Sequence, residues 1–156
     1  RCATLQFIFC GDGEKYNQWV DESRGVSNII FTGWLDGNEL NYLLNIASIG
    51  LASYEKGAPQ GFPNKLFEYM SAGLPVLFIL TGYAKELFKA ENIGLTYEPG
   101  NVDDLVDKID NLLDKSIREE MRVNSQQLFN NKFSAETVYK DFRNYIENLI
   151  ISYKKG

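Results

Sequence analysis

The sequence predicts an α/β fold built on a doubly wound parallel sheet with helices on both faces. Three observations carry that expectation. Short apolar runs alternate with helical patterns five times along the chain. The runs are continuous rather than alternating, as strands covered on both faces require. The longest polar, Gly/Pro-rich connection, SYEKGAPQGFPN (53–64), follows a predicted strand. In sheets of this kind ligands bind beyond the carboxyl ends of the strands. The expected architecture is therefore Rossmann-like.

The elements follow in order. LQFIFC (5–10) is a strand that ends at Gly11-Asp12-Gly13, and EKYNQWVDES (14–23) is the helix after it. NIIFTG (28–33) is the second strand. Asp36 then caps a helix with Glu39 three residues on, a capping box, and Leu35 and Leu40 are spaced for a hydrophobic staple. SIGLAS (48–53) is the third strand. The helix over 63–72 begins with Pro63, whose missing N–H costs nothing at a first helical position, and exits at Gly73. PVLFIL (75–80) is the fourth strand, with a helix over 84–91, and GLTYE (94–98) is the fifth. Asn101 caps a helix reaching Leu113. Two further helices, 116–130 and 135–152, close the chain, the last marked by Phe133, Ser134 and Val138 as staple and cap. In it Val138, Phe142, Tyr145 and Leu149 recur at helical spacing and call for a partner surface.

Composition narrows the function. The 156 residues suffice for one domain with a core. A hydrophobic content of 44% and an aromatic content of 13% predict folding. A formal net charge of -5 with no long basic run argues against a general nucleic-acid binder, while leaving room for a local anion site. The absence of histidine excludes a His-based triad or a His-ligated zinc site within the chain. Cys2 and Cys10 read as buried thiols rather than a disulfide. Asp103-Asp104 is the only candidate acidic pair for a metal, and its place in a first helical turn favours capping. No window approaches the roughly 20 apolar residues that span a bilayer. The chain opens RCATLQFIFCGDG, inside a strand pattern and without Met. The expectation is a piece of a longer, cytoplasmic protein.

Lys65 poses the functional question. It stands in a first helical turn, where the dipole disfavours a cation. Free N–H groups there, from Asn64 and Lys65, together with the Lys65 charge, suit a phosphate. Glu68 lies one turn on, near the same face, where a carboxylate can accept two hydrogen bonds from a ribose diol. A solvated surface lysine paired with Glu68 reads equally well from these residues alone. A nicotinamide site is disfavoured, because the string from Gly11, GDGEKY, puts Tyr16 where a third glycine belongs. A non-catalytic nucleotide-binding or interaction domain is the competing class.

QGFPNKLFEYMSAGLPV (60–76) resembles the signature of GT-B fold glycosyltransferases, specifically the large retaining family 4 (glycosyl transferases group 1). That signature has a Glu, seven residues, a second Glu, a small-residue turn and Gly-x-Pro-Val. Glu68 matches the second Glu, and Gly73-Leu74-Pro75-Val76 match the turn and strand. FIFCGDGE (7–14), NIIFTGWL (28–35), the segment 82–87 with Glu86, and GLTYEPGNVDDLVDKI (94–109) fall in the same order and spacing. The resemblance covers nearly the whole chain.

The resemblance implies a single donor-binding domain over residues 1–156, the C-terminal half of a GT-B fold. Its first strand–helix unit, with a basic pair for the diphosphate, and the acceptor-binding domain are expected upstream. It assigns ribose to Glu68, the diphosphate to the backbone of Asn64 and Lys65, donor-sugar contacts to Gln60, Gly61 and Phe62, and the base to Trp34 and Leu35. Pro63 has no N–H to give. Gln60 stands where the family has its first Glu, which keeps hydrogen bonding but removes charge. The implied partner is a nucleotide sugar, UDP foremost with GDP as rival, in bacterial cell-surface polysaccharide synthesis. An acceptor sugar or lipid-linked glycan would be held by the missing domain. No metal and no cofactor is implied, nor any nucleic acid. The expected location is cytoplasmic, with peripheral association at the inner face of the membrane, and the chain alone is expected to be inactive.

Overall fold

The structure, a computed structural model, describes residues 5–54, 61–79 and 82–154. These divide into two compact units, Arg1–Ile46 and Ala47–Gly156. In the first, strand β1 (Phe7–Cys10) leads through helix α1 (Tyr16–Glu22) to strand β2 (Ile29–Gly33) and helix α2 (Gly37–Ile46). β1 and β2 pair in parallel, Phe7 opposite Ile29 and Phe9 opposite Phe31, and the Phe9 and Phe31 rings stack at 5.2 Å. The predicted capping box is present. The Asp36 carboxylate accepts from the N–H groups of Asn38 (2.8 Å) and Glu39 (2.9 Å), and the Glu39 carboxylate accepts from the Asp36 N–H (2.9 Å). Two expectations fail here. Cys10, expected to be buried, is exposed as a free thiol, and Ile8, Phe9 and Ile30 are exposed although β1 and β2 read as covered strands. The pattern reports a demand for cover, and among the described residues these side chains do not find it. Cys2 lies outside the described residues.

The second unit holds strand β3 (Gly50–Ala52), helix α3 (Lys65–Ser71), strand β4 (Val76–Phe78), helix α4 (Tyr83–Ala90) and strand β5 (Gly94–Thr96). Helices α5 (Val102–Leu113), α6 (Lys115–Leu128) and α7 (Ala135–Tyr153) follow. β3, β4 and β5 lie side by side in sequence order, all parallel. Every strand pair among the described residues is thus parallel, as predicted, with a two-stranded sheet in the first unit and a three-stranded sheet in the second. Alternation of strands and helices dictates direction, not which strands become neighbours.

The core of this unit is apolar and dense. Leu66 and Met70 of α3, Val76 and Phe78 of β4, Ala84 and Phe88 of α4, and Ile93 are all essentially inaccessible. Their burial follows from the 3.6 and continuous patterns read above. Tyr69 lies against the backbone of β3, where a Cβ on Gly50 would come within 2.6 Å of its ring, and its hydroxyl donates to the Leu51 carbonyl (3.1 Å). Helix α3 ends as predicted. Gly73 takes φ 71°, its N–H donates to Met70 O (3.0 Å), and the Leu74 N–H reaches Tyr69 O (2.8 Å). This pair of bonds satisfies the last carbonyls of the helix.

The later helices start on side-chain caps. The Asn101 side chain accepts from the Asp104 N–H (3.0 Å), while the Asp104 carboxylate accepts from the Glu98 N–H (2.7 Å) and bridges to Lys108 (3.3 Å). The helix is capped by Asn101, while the Asp104 carboxylate ties the first turn back to the backbone ahead of it. Asp114 caps α6 through Ser116 and Ile117, and Ser134 caps α7 through Thr137 (3.2 Å). The Glu98 N–H, above all, holds Asp104 below the ordinary carboxylate range, and the Ser116 hydroxyl does the same for Asp114. A lowered folded pKa gives stability that is present above the ordinary value and lost as pH falls through the lowered one. Melts between pH 5 and about pH 2 should therefore show a shallower acid loss in an Asp104→Asn/Asp114→Asn double variant than in the parent chain.

One element was not predicted. Between α6 and α7, residues Phe129–Phe133 form a π-helical turn. Beyond it α7 leaves Val138, Phe142, Tyr145 and Leu149 exposed, so the partner surface they call for is not supplied by the described residues.

Candidate functional site

The carboxyl ends of β3, β4 and β5 share one edge of the three-stranded sheet, because the pairing is parallel and in register. Ser53 and Tyr54 leave β3 there, and Tyr97 leaves β5. The Ser53 and Tyr97 hydroxyls lie 2.6 Å apart, tying the two outer strands together past β4. Lys65 opens α3 with its Nζ 5.0 Å from the centroid of the Tyr54 ring, a cation–π contact. Lys65 is half-buried, and burial lowers its ammonium below the ordinary value while Glu68 draws it partly back. Burial likewise pushes the Tyr54 phenol up. Glu68 is exposed in the first turn of α3.

Backbone bonding at the start of α3 is specific. The Leu66 N–H donates to Pro63 O (3.0 Å), and the N–H groups of Phe67 (2.9 Å) and Glu68 (3.4 Å) donate to Asn64 O. Among the described residues the Asn64 and Lys65 N–H groups find no backbone acceptor. Asn64 already has helical backbone angles (φ -55°, ψ -37°), and its side chain makes no capping bond. The helix begins two residues later than expected, at Lys65 rather than Pro63. A cation here is placed against both the helix dipole and its own desolvation. A bound anion would relieve both.

The other predicted site residues divide. Gly61 is exposed, whereas the half-buried Phe62 side chain is taken up by an aromatic cluster, its ring 4.8 Å from Phe67, 5.6 Å from Phe133 and 6.0 Å from Phe88. Gln60 lies outside the described residues. In the first unit Leu35 lines an open groove of about 490 Å³ with Thr32, Glu39, Tyr42, Leu43 and Ile46, whereas Trp34, 77% exposed, stands outside it. Sequence reasoning missed Tyr54 and Tyr97. Their signal was an aromatic residue at the carboxyl end of a predicted strand, Tyr54 just past the third and Tyr97 near the end of the fifth.

No helix among the described residues is long and apolar enough to cross a membrane, and none of their acidic and cysteine side chains gather in threes as a metal site would need.

Comparison with known proteins gives this edge a context. A 2-deoxystreptamine N-acetyl-D-glucosaminyltransferase of Niallia circulans is 25% identical over 144 residues, which are 90% of this chain and 36% of that protein. Anabaena HepE, solved with UDP-glucose, superposes with a TM-score of 0.71 at 20% identity, covering 94% of this chain and 43% of HepE. The C-terminal domain of the group 1 glycosyl transferase LpcC from Francisella tularensis matches with a TM-score of 0.62 at 25% identity, covering 76% of this chain and 60% of that one. The chain thus spans well under half the length of the first two. The sequence profile described as "Glycosyl transferases group 1" matches residues 1–115, through both units and across the Lys65–Glu68 turn. On that match, which takes in most of the chain, the protein belongs to the group 1 glycosyl transferase family.

Proposed function

We propose that this chain is the donor-binding domain of a retaining glycosyltransferase that uses a UDP-sugar. The observation that carries the reading is the pairing of a half-buried Lys65 with an exposed Glu68 one turn on, beyond the carboxyl ends of a parallel sheet. The Lys65 ammonium and the Asn64 and Lys65 N–H groups supply positive potential where a leaving diphosphate gains charge. Preorganised donors of this kind stabilise a transition state without reorganising. Glu68 takes the ribose hydroxyls, and Gln60, Gly61 and Phe62 are assigned to the donor sugar. Leu35 and Trp34 are assigned to the base, and the apolar groove beside Leu35 supports a flat, uncharged ring there for Leu35. UDP as the nucleotude is supported by HepE, whose structures hold UDP and UDP-glucose.

The remaining parts of the reading rest on the family resemblance. The acceptor-binding domain and the first strand–helix unit lie upstream, so the chain alone should turn over poorly. β1, which pairs with β2 on one side, has a second edge on which such a strand could add. Transfer needs no metal and no cofactor. The acceptor is a sugar or lipid-linked glycan of bacterial cell-surface polysaccharide, met at the cytoplasmic face of the membrane.

Equilibrium titration of the chain with UDP-glucose, a GDP-sugar and NAD tests the reading. UDP-glucose should bind most tightly and without added divalent metal. Preference for NAD, or binding of none of the three, would overturn it.

A further inference from the structure

We propose that Phe133, presented by the π-helical turn between α6 and α7, is a positioning residue for the start of α3. The inference rests on the donor-binding reading of Lys65 and Glu68 given above. It begins from an unusual element. π-Helical turns are rare and are frequent at functional sites. This one is fixed at both ends: the Ser134 N–H donates to Phe129 O (2.8 Å), and the Thr137 hydroxyl donates to Asn130 O (2.8 Å).

The turn delivers one ring to a defined place. Phe133 lies 5.6 Å from Phe62 and 5.2 Å, edge to face, from Phe67. Those two residues flank Pro63-Asn64-Lys65-Leu66 on either side. Phe62 is held further by Phe88 (6.0 Å) and Tyr83 (6.4 Å). The backbone carrying the Asn64 and Lys65 N–H groups is therefore pinned by rings before and after it, and Phe133 touches both. A π-helical turn closes over one more residue than an α-helical turn. Along an uninterrupted α-helix the Phe133 ring would be rotated by roughly 100° about the axis, away from this pair. The extra residue thus aims Phe133 at the start of α3.

The ring's role is geometric: it sets where the Asn64 and Lys65 donors point, and makes no contact with ligand itself. Such a role separates ligands by whether they carry phosphate. Calorimetric titration of the full chain with UDP and with uridine tests it, using Phe133→Ala, Phe133→Leu and the ring-keeping Phe133→Tyr, with a melting curve for each. Phe133→Ala should weaken UDP about tenfold and uridine no more than about twofold, since misplaced donors cost only the ligand they address. Phe133→Tyr should restore UDP binding. Should Phe133→Ala fail to fold, Phe133→Leu keeps apolar volume without the ring and should still weaken UDP about threefold. Unchanged UDP affinity in a folded ring-less variant, or equal losses for both ligands, overturns the positioning role while leaving the donor-binding reading standing. Failure of the unaltered chain to bind UDP overturns that reading, and this inference with it.

Discussion

Phe88→Ala should lower the unfolding free energy by about 3–5 kcal/mol, the range for truncating a fully buried aromatic ring. Phe88 is inaccessible to solvent and meets Phe78 edge to face at 5.0 Å and Phe62 at 6.0 Å. The lost ring leaves a cavity in a buried cluster that also holds Leu66, Val76, Ala84 and Ile93, from α3, β4, α4 and the turn after it, so the site has little freedom to collapse. Small domains are stable by about 5–15 kcal/mol, so the variant should sit near the edge of folding. Urea denaturation followed by far-UV circular dichroism is the measurement. A loss below about 1 kcal/mol would mean that the aromatic cluster is not the structural centre of the second unit.

Glu68→Ala should weaken both uridine and UDP by about 2–3 kcal/mol, because each ligand carries the ribose diol and each bond is to a charged acceptor. Stability should barely move, since Glu68 is exposed and Leu66 and Met70, on the other face of α3, carry the packing. The variant removes one carboxylate, and Glu68→Gln separates charge from reach: it should recover part of the loss, as an amide oxygen still accepts. Titration of the two variants with the two ligands gives four affinities. Loss confined to UDP would move Glu68 from the ribose to the phosphates.

Much of the fold was legible because local rules agree with the final structure. The Asp36–Glu39 box, the Asn101 and Ser134 caps and the Gly73 exit were all read from single residues and their spacing, and each has the expected hydrogen bonds. Strand direction was legible too, since helices between successive strands force parallel pairing. Strand neighbours were not, because ladder order depends on contacts between distant segments. The π-helical turn was equally hidden. FNNKF contains neither Gly nor Pro, and its two phenylalanines continue a helical spacing as well as they mark a bulge.

The site divides along the same line. Lys65 and Glu68 share a face by helical arithmetic, and a lysine in a first turn announces its own conflict with the dipole. The surroundings that give that lysine its character came from elsewhere in the chain. Tyr54 comes from just past the end of β3, and the rings around Phe62 come from α4 and from the turn before α7. Such contacts bring together residues up to about seventy positions apart, and no local pattern encodes them.

The central claim is that Lys65 is placed for a diphosphate, and calorimetric titration of Lys65→Ala with UDP and with uridine tests it most directly. In the parent chain UDP should bind more tightly than uridine. In the variant UDP should lose about 1–2 kcal/mol, as for one charge-assisted hydrogen bond, and uridine should lose almost nothing. The unliganded variant should melt no lower than the parent, because a partly desolvated cation has left the positive end of a helix. Equal losses for the two ligands, or an unchanged UDP affinity, would contradict the account and return Lys65 to a lysine of the surface.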